Sequence, residues 1–380
     1  MSDPVYLDHA ATTPLRPEAR DAMLAALDGR WGNPSSIHRW GRDARAALDD
    51  ARARFAAVIG ASPAEIVFTR GGTEADNMAL WGRARLAPSA PLACSAVEHS
   101  AVLNAVRAAG EAGHPVHLLP VDGNGLVDLD ALRALLAGEE KPAVVSVMWA
   151  NNEVGAMQPV REIAALCRAS GVVFHSDAVQ ALGKVPVRAD EVAADLLAFS
   201  AHKLGGPRGV GALYVRRGTA IQPMLHGGGQ ERGMRPGTED VAGAIALAVA
   251  AELAAAERQT LMPRLAALRD RLEAELFARV PGLVLNAAGA PRLPTISNVS
   301  VPGADAEMLL IGMDMEGIAV SSGSACSSGA VTPSHVLTAM GVAPQAAGPS
   351  VRFSLGRGTT DADIDRVIHV FPAVAERVRL

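Results

Sequence analysis

Strand-like and helix-like segments alternate along the chain between residues 65 and 216. The predicted strands cover residues 65–69, 91–95, 116–119, 143–149, 172–176, 195–199 and 210–215. The predicted helices cover residues 73–86, 98–113, 128–137 and 160–170. Strands that alternate with helices of about 10 to 15 residues are typical of βαβ units. The sequence therefore predicts an α/β fold with a large, mostly parallel sheet.

A different pattern follows this region. An Ala- and Leu-rich stretch at about 240–280 predicts a connector helix with a break or kink at Pro263, since proline removes a helical hydrogen bond. Beyond it, strands at 295–301, 318–321 and 351–355 are interspersed with helices at 306–315, 334–340 and 361–378. We expect an N-terminal segment at 1–16 that packs beside a small α+β domain at 256–380. The large domain would span residues 17–255.

The net charge and the apolar pattern of the sequence limit which kinds of binding partner are expected. The net charge is −5 with no basic block, which argues against direct nucleic acid binding. The longest apolar run is the 11 residues from Val241 to Ala251, whereas a membrane span needs about 20. The first residues have no basic stretch followed by an apolar one, so no signal peptide is predicted. We expect a cytoplasmic protein that binds no membrane.

Three cysteines, Cys94, Cys167 and Cys326, are too few for a disulfide framework, and no two have metal-ligand spacing. No intrinsic metal site is therefore predicted. Cys94 and Cys167 fall in a predicted strand and a predicted helix, where we expect packed side chains. Cys326 lies in the Ser/Gly-rich stretch 321–330, which predicts an accessible and mobile thiol. An incidental cysteine in a linker explains the same pattern.

Asp177 and Lys203 each follow the carboxyl end of a predicted buried strand. Open α/β sheets bind ligands at this edge. Pyridoxal phosphate chemistry uses such a pair, because a lysine forms the Schiff base and a carboxylate keeps the pyridine nitrogen protonated. Without further context, a solvated aspartate and a surface lysine are the more common explanation, since nearly every α/β protein contains both.

Other polar groups lie at the same predicted edge. The glycines and Thr73 in the stretch 69–74 open a helix, and a helix N-terminus suits a phosphate. His99, Asn152 and Gln180 follow further strand ends. Ordinary turns and helix caps account for each of these alone. Arg352 alternates with apolar residues on a predicted strand, so it either forms an internal salt bridge or binds a substrate carboxylate.

Taken together, ten segments in chain order match the pattern of one family. They are YLDHAATTP at 6–14, GNPSSIH at 32–38, FTRGGTEADN at 68–77, VEHSAVL at 97–103, NNEVGAMQP at 151–159, HSDAVQALGK at 175–184, FSAHKLGGPRGVGALYVR at 199–216, HGGGQERGMRPGT at 226–238, SSGSACSSG at 321–329 and VRFSLGR at 351–357. The chain resembles the cysteine desulfurases of the NifS/IscS type, which are class V aminotransferases. The resemblance implies pyridoxal 5'-phosphate as cofactor, the aspartate-aminotransferase type of fold and a homodimer with active sites at the subunit interface.

The resemblance also implies which residues contact the cofactor. They are Gly72, Thr73, His99, Asn152, Asp177, Gln180, Ser200, His202, Lys203 and Thr238. Lys203 would form the Schiff base, Asp177 would pair with the pyridine nitrogen and His99 would stack on the ring. Gln180 would bond the ring hydroxyl, and Thr238 would reach the phosphate of the neighbouring subunit.

The implied activity is the conversion of L-cysteine to L-alanine, with the sulfur held on Cys326 as a persulfide. Lys203 and His99 would serve as the other catalytic residues. Arg352 would bind the substrate carboxylate, helped by Asn33 and Asn152. The sulfur would pass to an acceptor protein in iron–sulfur cluster assembly or tRNA thiolation. Two alternatives remain at this point, a selenocysteine lyase and another class V aminotransferase, and Cys326 argues against the latter.

Overall fold

The computed structural model describes residues 4–322, 333–343 and 347–379. Its strands are β1 (Val5–Tyr6), β2 (Ile66–Thr69), β3 (Leu92–Ser95), β4 (Val116–Leu119), β5 (Val144–Ser146), β6 (Val173–Asp177), β7 (Leu196–Ser200), β8 (Gly211–Val215), β9 (Val284–Leu285), β10 (Ile296–Ser300), β11 (Ile318–Ala319) and β12 (Ser350–Ser354). Its helices are α1 (Pro17–Gly29), α2 (Arg39–Val58), α3 (Gly72–Ala84), α4 (Ser100–Glu111), α5 (Leu129–Ala137), α6 (Val160–Ala169), α7 (Ala189–Val192), α8 (Val241–Arg279), α9 (Ala306–Met315), α10 (His335–Ala339) and α11 (Asp361–Arg377).

Seven strands form the large sheet, in the order β2-β8-β7-β6-β5-β3-β4. The pairs from β7 through β4 are parallel, whereas β8 runs antiparallel to both β2 and β7. Strands β6 and β7 lie in the middle of the sheet and are almost wholly buried. Continuous burial of this kind is typical of a parallel sheet covered on both faces. The predicted α/β fold is confirmed.

A second set of strands is built from both ends of the chain. Strands β9, β10 and β12 form an antiparallel sheet, and β1 pairs with β11 in parallel. Val5 and Leu7 pack in a hydrophobic cluster with residues of α8, α9 and α11. The N-terminal segment therefore contributes a strand and apolar side chains to this cluster. The boundaries predicted at residues 16 and 255 stay predictions.

Helix α8 contributes residues to two of the hydrophobic clusters of the molecule. The helix continues through Pro263, so a break there is wrong, whereas a kink at this proline stays a prediction. Residues Ala244 to Ala254 pack in the cluster around the large sheet, and residues Leu265 to Leu276 pack in the cluster around β10 and β12. Burial on both sides of the proline offsets the hydrogen bond that it removes.

Local sequence signals define the helix starts that face the carboxyl edge of the large sheet. Helix α3 begins after Gly71, whose φ of 137° is open to glycine but rarely to other residues. Helix α4 begins after His99, whose Nδ1 accepts a hydrogen bond from the backbone N–H of Ala101. Both helices therefore start beside the ends of the central strands. Within the described residues, the structure contains no helix both long and apolar enough to cross a membrane.

Candidate active site

A cavity of about 350 Å³ opens at the carboxyl ends of β6 and β7. Its lining brings together residues from the N-terminal segment, the large sheet, the starts of α3 and α4, and β12. They are Ala10, Ala11, Gly72, Thr73, Asp76, His99, Met148, Asn152, Asp177, Val179, Gln180, Ser200, His202, Lys203, Ser321 and Arg352. Most of the predicted site residues are in this set.

Lys203 lies in the short 3₁₀ turn that follows β7. Its Nζ donates to the backbone oxygens of Ala10 at 2.6 Å and Ala11 at 2.7 Å. Burial lowers the pKa of this amine to about 8, and nearby Arg352 acts in the same direction. A lysine with a lowered pKa is a better nucleophile and proton acceptor at neutral pH.

Asp177 ends β6 and is 6% exposed. Its Oδ1 accepts a hydrogen bond of 2.8 Å from the backbone N–H of Val179. Burial, together with the neighbouring carboxyl of Asp76, raises the pKa of Asp177 to about 7. The described residues give Asp177 no lysine or arginine partner, so a cationic group in the cavity would satisfy it.

Gly72, Thr73, Ser200 and His202 form the polar end of the cavity. Helix α3 begins at this end with Gly72 and Thr73, and helix N-termini favour phosphates. A Cβ on Gly72 would lie 2.8 Å from the side chain of Val179, so a larger residue would not fit here. Hydroxyls, an imidazole and backbone N–H groups together make a donor set suited to a phosphate.

His99 presents its imidazole to the same cavity. Because Nδ1 accepts from Ala101 at 3.1 Å, the neutral ring carries its proton on Nε2. Desolvation lowers the pKa of His99, and the Asp177 carboxylate opposes this effect. The ring is therefore kept neutral at physiological pH and can donate or accept one proton.

Arg352 projects from β12 into the cavity and is 3% exposed. Its Nη1 donates to the backbone oxygen of Asn152 at 2.9 Å, and its Nη2 donates to Asp8 at 2.6 Å. The sequence left two roles open for Arg352, an internal salt bridge and the binding of a substrate carboxylate. The structure shows the salt bridge, and it also shows that the guanidinium lines the cavity.

Two predicted residues within the described part of the chain do not line this cavity. Asn33 is exposed, and its Oδ1 accepts from the backbone N–H of Ser35. Thr238 is exposed on the loop before α8. Cys326 lies outside the described residues. By contrast, Cys94 and Cys167 are buried and unpaired, in the packed elements where they were predicted.

The sequence reasoning missed several residues of the site. Asp76 lies on α3, 1% exposed, with its Oδ1 3.4 Å from Nε2 of His175. Asp8 holds Arg352, and Lys184 donates from Nζ to Oε1 of Gln180 at 2.5 Å. Asp8, Asp76 and Lys184 all fall inside segments of the family pattern. Their roles depend on side-chain directions, which those segments alone do not reveal.

Comparisons with known proteins agree on one family. The family described as Aminotransferase class-V matches residues 5–367. A relative named Cysteine desulfurase IscS, from Dictyoglomus turgidum, is 44% identical over 100% of this chain and 96% of its own length. A solved structure titled NIFS-LIKE PROTEIN is 34% identical with a TM-score of 0.90, covering 99% of this chain and 100% of that one.

A second solved structure is titled "SspA in complex with cysteine". It is 32% identical to this chain, with a TM-score of 0.79, and the match covers 92% of this chain and 98% of that one. The full-length identity and the shared fold extend over the strand ends that carry Lys203 and Asp177. The chain therefore belongs to the class V aminotransferase family and, within it, to the cysteine desulfurases of the NifS/IscS type, which are pyridoxal 5'-phosphate enzymes.

Proposed function

We propose that this protein converts L-cysteine to L-alanine and transfers the sulfur to Cys326. The observation that carries the proposal is the convergence of Lys203, Asp177 and His99 on one cavity that Arg352 also lines. An amine, an acid, a neutral imidazole and a guanidinium are the groups that an amino acid substrate and this cofactor require.

The residues of the cavity fit pyridoxal 5'-phosphate. Asp177, Lys203 and Gln180 would hold the ring, and Gly72, Thr73, Ser200 and His202 would hold the phosphate. The uncompensated carboxyl of Asp177 supports this assignment, because a protonated pyridine nitrogen would provide its missing cation. When bound, the cofactor supplies an electron sink for the charge that develops at the substrate Cα.

The chain's own residues then bind the substrate and move protons. Arg352 binds the α-carboxylate of cysteine, with Asn152 beside it. Lys203, as a free amine with a pKa of about 8, takes the proton from Cα and returns it to the product. His99 moves a proton at Nε2. The Cys326 thiolate attacks the substrate sulfur, the Cβ–S bond breaks and an S–S bond forms.

This reaction balances without an external oxidant or reductant. Cysteine and a protein thiol give alanine and a protein persulfide, since Cβ is reduced while the sulfur is oxidised. The persulfide then passes its sulfur to an acceptor protein in iron–sulfur cluster assembly or tRNA thiolation. We include in the proposal a cytoplasmic setting and a homodimer, in which Thr238 would reach the phosphate of the neighbouring subunit.

Incubation with L-cysteine tests the proposal directly. We expect stoichiometric alanine and sulfide in the presence of a reducing thiol. Without the reductant, the peptide that carries Cys326 should gain about 32 Da, the mass of one sulfur on a thiol. Alanine without this mass gain would favour a lyase that releases the sulfur or selenium directly. Pyruvate or a keto acid in place of alanine would contradict the proposal.

A further inference from the structure

Lysine is rare in this chain, and its placement is uneven. Of the 35 basic residues, three are lysines, namely Lys141, Lys184 and Lys203. Lys141 is exposed and donates to the backbone oxygen of Ser170. Lys184 and Lys203 both line a second cavity of about 490 Å³, and Lys203 also lines the first. Arginine supplies the other 32 positive charges, so two of the three lysines are at one site.

Lys184 has an unusual environment for a lysine. It is partly buried, and the described residues give it no carboxylate partner. Its neighbours in charge are Lys203 and Arg352, which are both cations and lower its pKa together with burial. Such a placement opposes the charge on an ammonium group. The residue has no part in the reaction proposed above, so its position needs another explanation.

The contact that Lys184 makes supplies the explanation. Nζ donates to Oε1 of Gln180 at 2.5 Å, while Nε2 of Gln180 donates to the backbone oxygen of Ala10 at 2.9 Å. An ammonium group has no acceptor and a carbonyl oxygen has no donor. The two contacts therefore fix which end of the amide is oxygen and which is nitrogen. Nε2 carries two hydrogens, and the second remains for the cavity that Gln180 lines.

We propose that Lys184 is a positioning residue that holds the Gln180 amide with its N–H₂ group toward the cofactor ring. Gln180 then donates a hydrogen bond to the oxygen substituent of the ring and stabilises its anionic form. A flipped amide would present Oε1, which repels that anion. The inference rests on the proposed cofactor assignment and adds to it the residue that sets the amide orientation.

The chemistry of lysine suits this role better than that of arginine. Arginine carries a planar fork that stays protonated, and Arg352 already places one such charge nearby. Lysine presents a compact donor that remains a donor if it loses its proton. Both forms can therefore hold Oε1 of Gln180.

The pH dependence of the cofactor's visible absorption tests this role in the loaded enzyme. A stabilised ring anion holds less tightly the proton that it shares with the nitrogen linked to Lys203. Losing that stabilisation raises the pH at which the band near ~420 nm titrates. Lys184→Met keeps roughly the length of the aliphatic part of the lysine side chain and removes the donor. For this variant we expect the titration midpoint to rise by about one pH unit. Lys141→Met is the matched control and should titrate as wild type.

A double-mutant cycle separates this mechanism from a direct effect of charge. If Lys184 acts through Gln180, Gln180→Leu gives a similar rise, and Lys184→Met adds little to it. The inference would be overturned if the midpoint shifts of the two single variants added fully in the double variant. It would also be overturned if Lys184→Met titrated at the same pH as wild type. Should Lys184→Met not bind the cofactor, the same cycle is run with Lys184→Gln. A wild-type protein without any visible band would instead contradict the proposed function.

Discussion

The guanidinium of Arg352 is held between two acceptors, Asp8 Oδ1 at 2.6 Å and the backbone oxygen of Asn152 at 2.9 Å. Its Nε has no hydrogen-bond partner among the described residues. The N-terminal segment and the loop after β5 thus fix the direction of a side chain that β12 supplies. A guanidinium oriented in advance loses less freedom when a carboxylate binds.

We expect Arg352→Ala to raise KM for cysteine far more than it changes the cofactor spectrum. A lost bidentate contact costs on the order of 2–4 kcal/mol, or roughly 30- to 1000-fold in kcat/KM. Steady-state kinetics measure the effect, with exposed Arg357→Ala as the control. Arg352→Ala also leaves the carboxylate of Asp8 without its partner. Arg352→Lys is therefore measured as well, because it keeps a positive charge beside Asp8 but lacks the bidentate guanidinium. An unchanged kcat/KM would limit Arg352 to a structural salt bridge.

Lys203→Ala is expected to reduce alanine formation below a few per cent of wild type, because it removes both the anchor and the proton acceptor. Alanine release from L-cysteine is the assay. Lys141→Ala, at an exposed lysine, should retain full activity. Substantial turnover by Lys203→Ala would show that another amine serves the reaction.

Asp177→Asn should still bind the cofactor but lose most activity. The phosphate end and Lys203 still hold the ring, whereas the pyridine nitrogen loses its anionic partner. Cofactor content and alanine formation are measured on the same sample, with Asp130→Asn at the surface as control. Wild-type rates would mean that a different group, such as Asp76, keeps the ring protonated.

Cys326→Ser is expected to separate the two halves of the reaction. Cysteine should still perturb the cofactor spectrum, because Lys203, Asp177 and His99 are intact. Sulfur transfer should fail, since a hydroxyl is a poor substitute for a thiolate. Cys167→Ala is the control, because burial raises the pKa of that thiol to about 12 and keeps it unreactive. Normal turnover of cysteine by Cys326→Ser would reject Cys326 as the sulfur acceptor.

Lys184 should also affect how the free energy of unfolding depends on pH. Its pKa is lowered to about 7 in the folded protein, whereas an unfolded lysine titrates near ~10.4. Between these values the unfolded chain binds more protons, so the free energy of unfolding rises with pH. Lys184→Met lacks this rise. Urea unfolding of cofactor-free protein at about pH 6 and about pH 9 should therefore favour wild type at the higher pH. A difference independent of pH, as expected for Lys141→Met, would contradict the lowered pKa.

The parts of the fold and site that follow a local rule were predictable. Lys203 and Asp177 come directly after buried strands, and neighbouring parallel strands bring their carboxyl ends to one edge. The break predicted at Pro263 was wrong. The rule that proline interrupts a helix does not take into account that residues before and after Pro263 are buried in hydrophobic clusters. Asp8, Asp76 and Lys184 were missed because their partners are chosen by tertiary packing. Asn33 and Thr238 do not line the cavity of this chain; the role predicted for Thr238 requires a second subunit, and both roles stay predictions.

The position of the N-terminal segment has a consequence for the order of folding. Strand β1 pairs with β11, Ser354 donates from its backbone to Leu7, and Ala10 and Ala11 hold the amine of Lys203. The residues of the N-terminal segment are therefore made long before the residues of β11 and β12 with which they pair. The large sheet can form earlier, but Lys203 would lack its acceptors until then. Cofactor capture is thus expected to follow the completion of synthesis, so nascent chains that stall before β11 should not bind it.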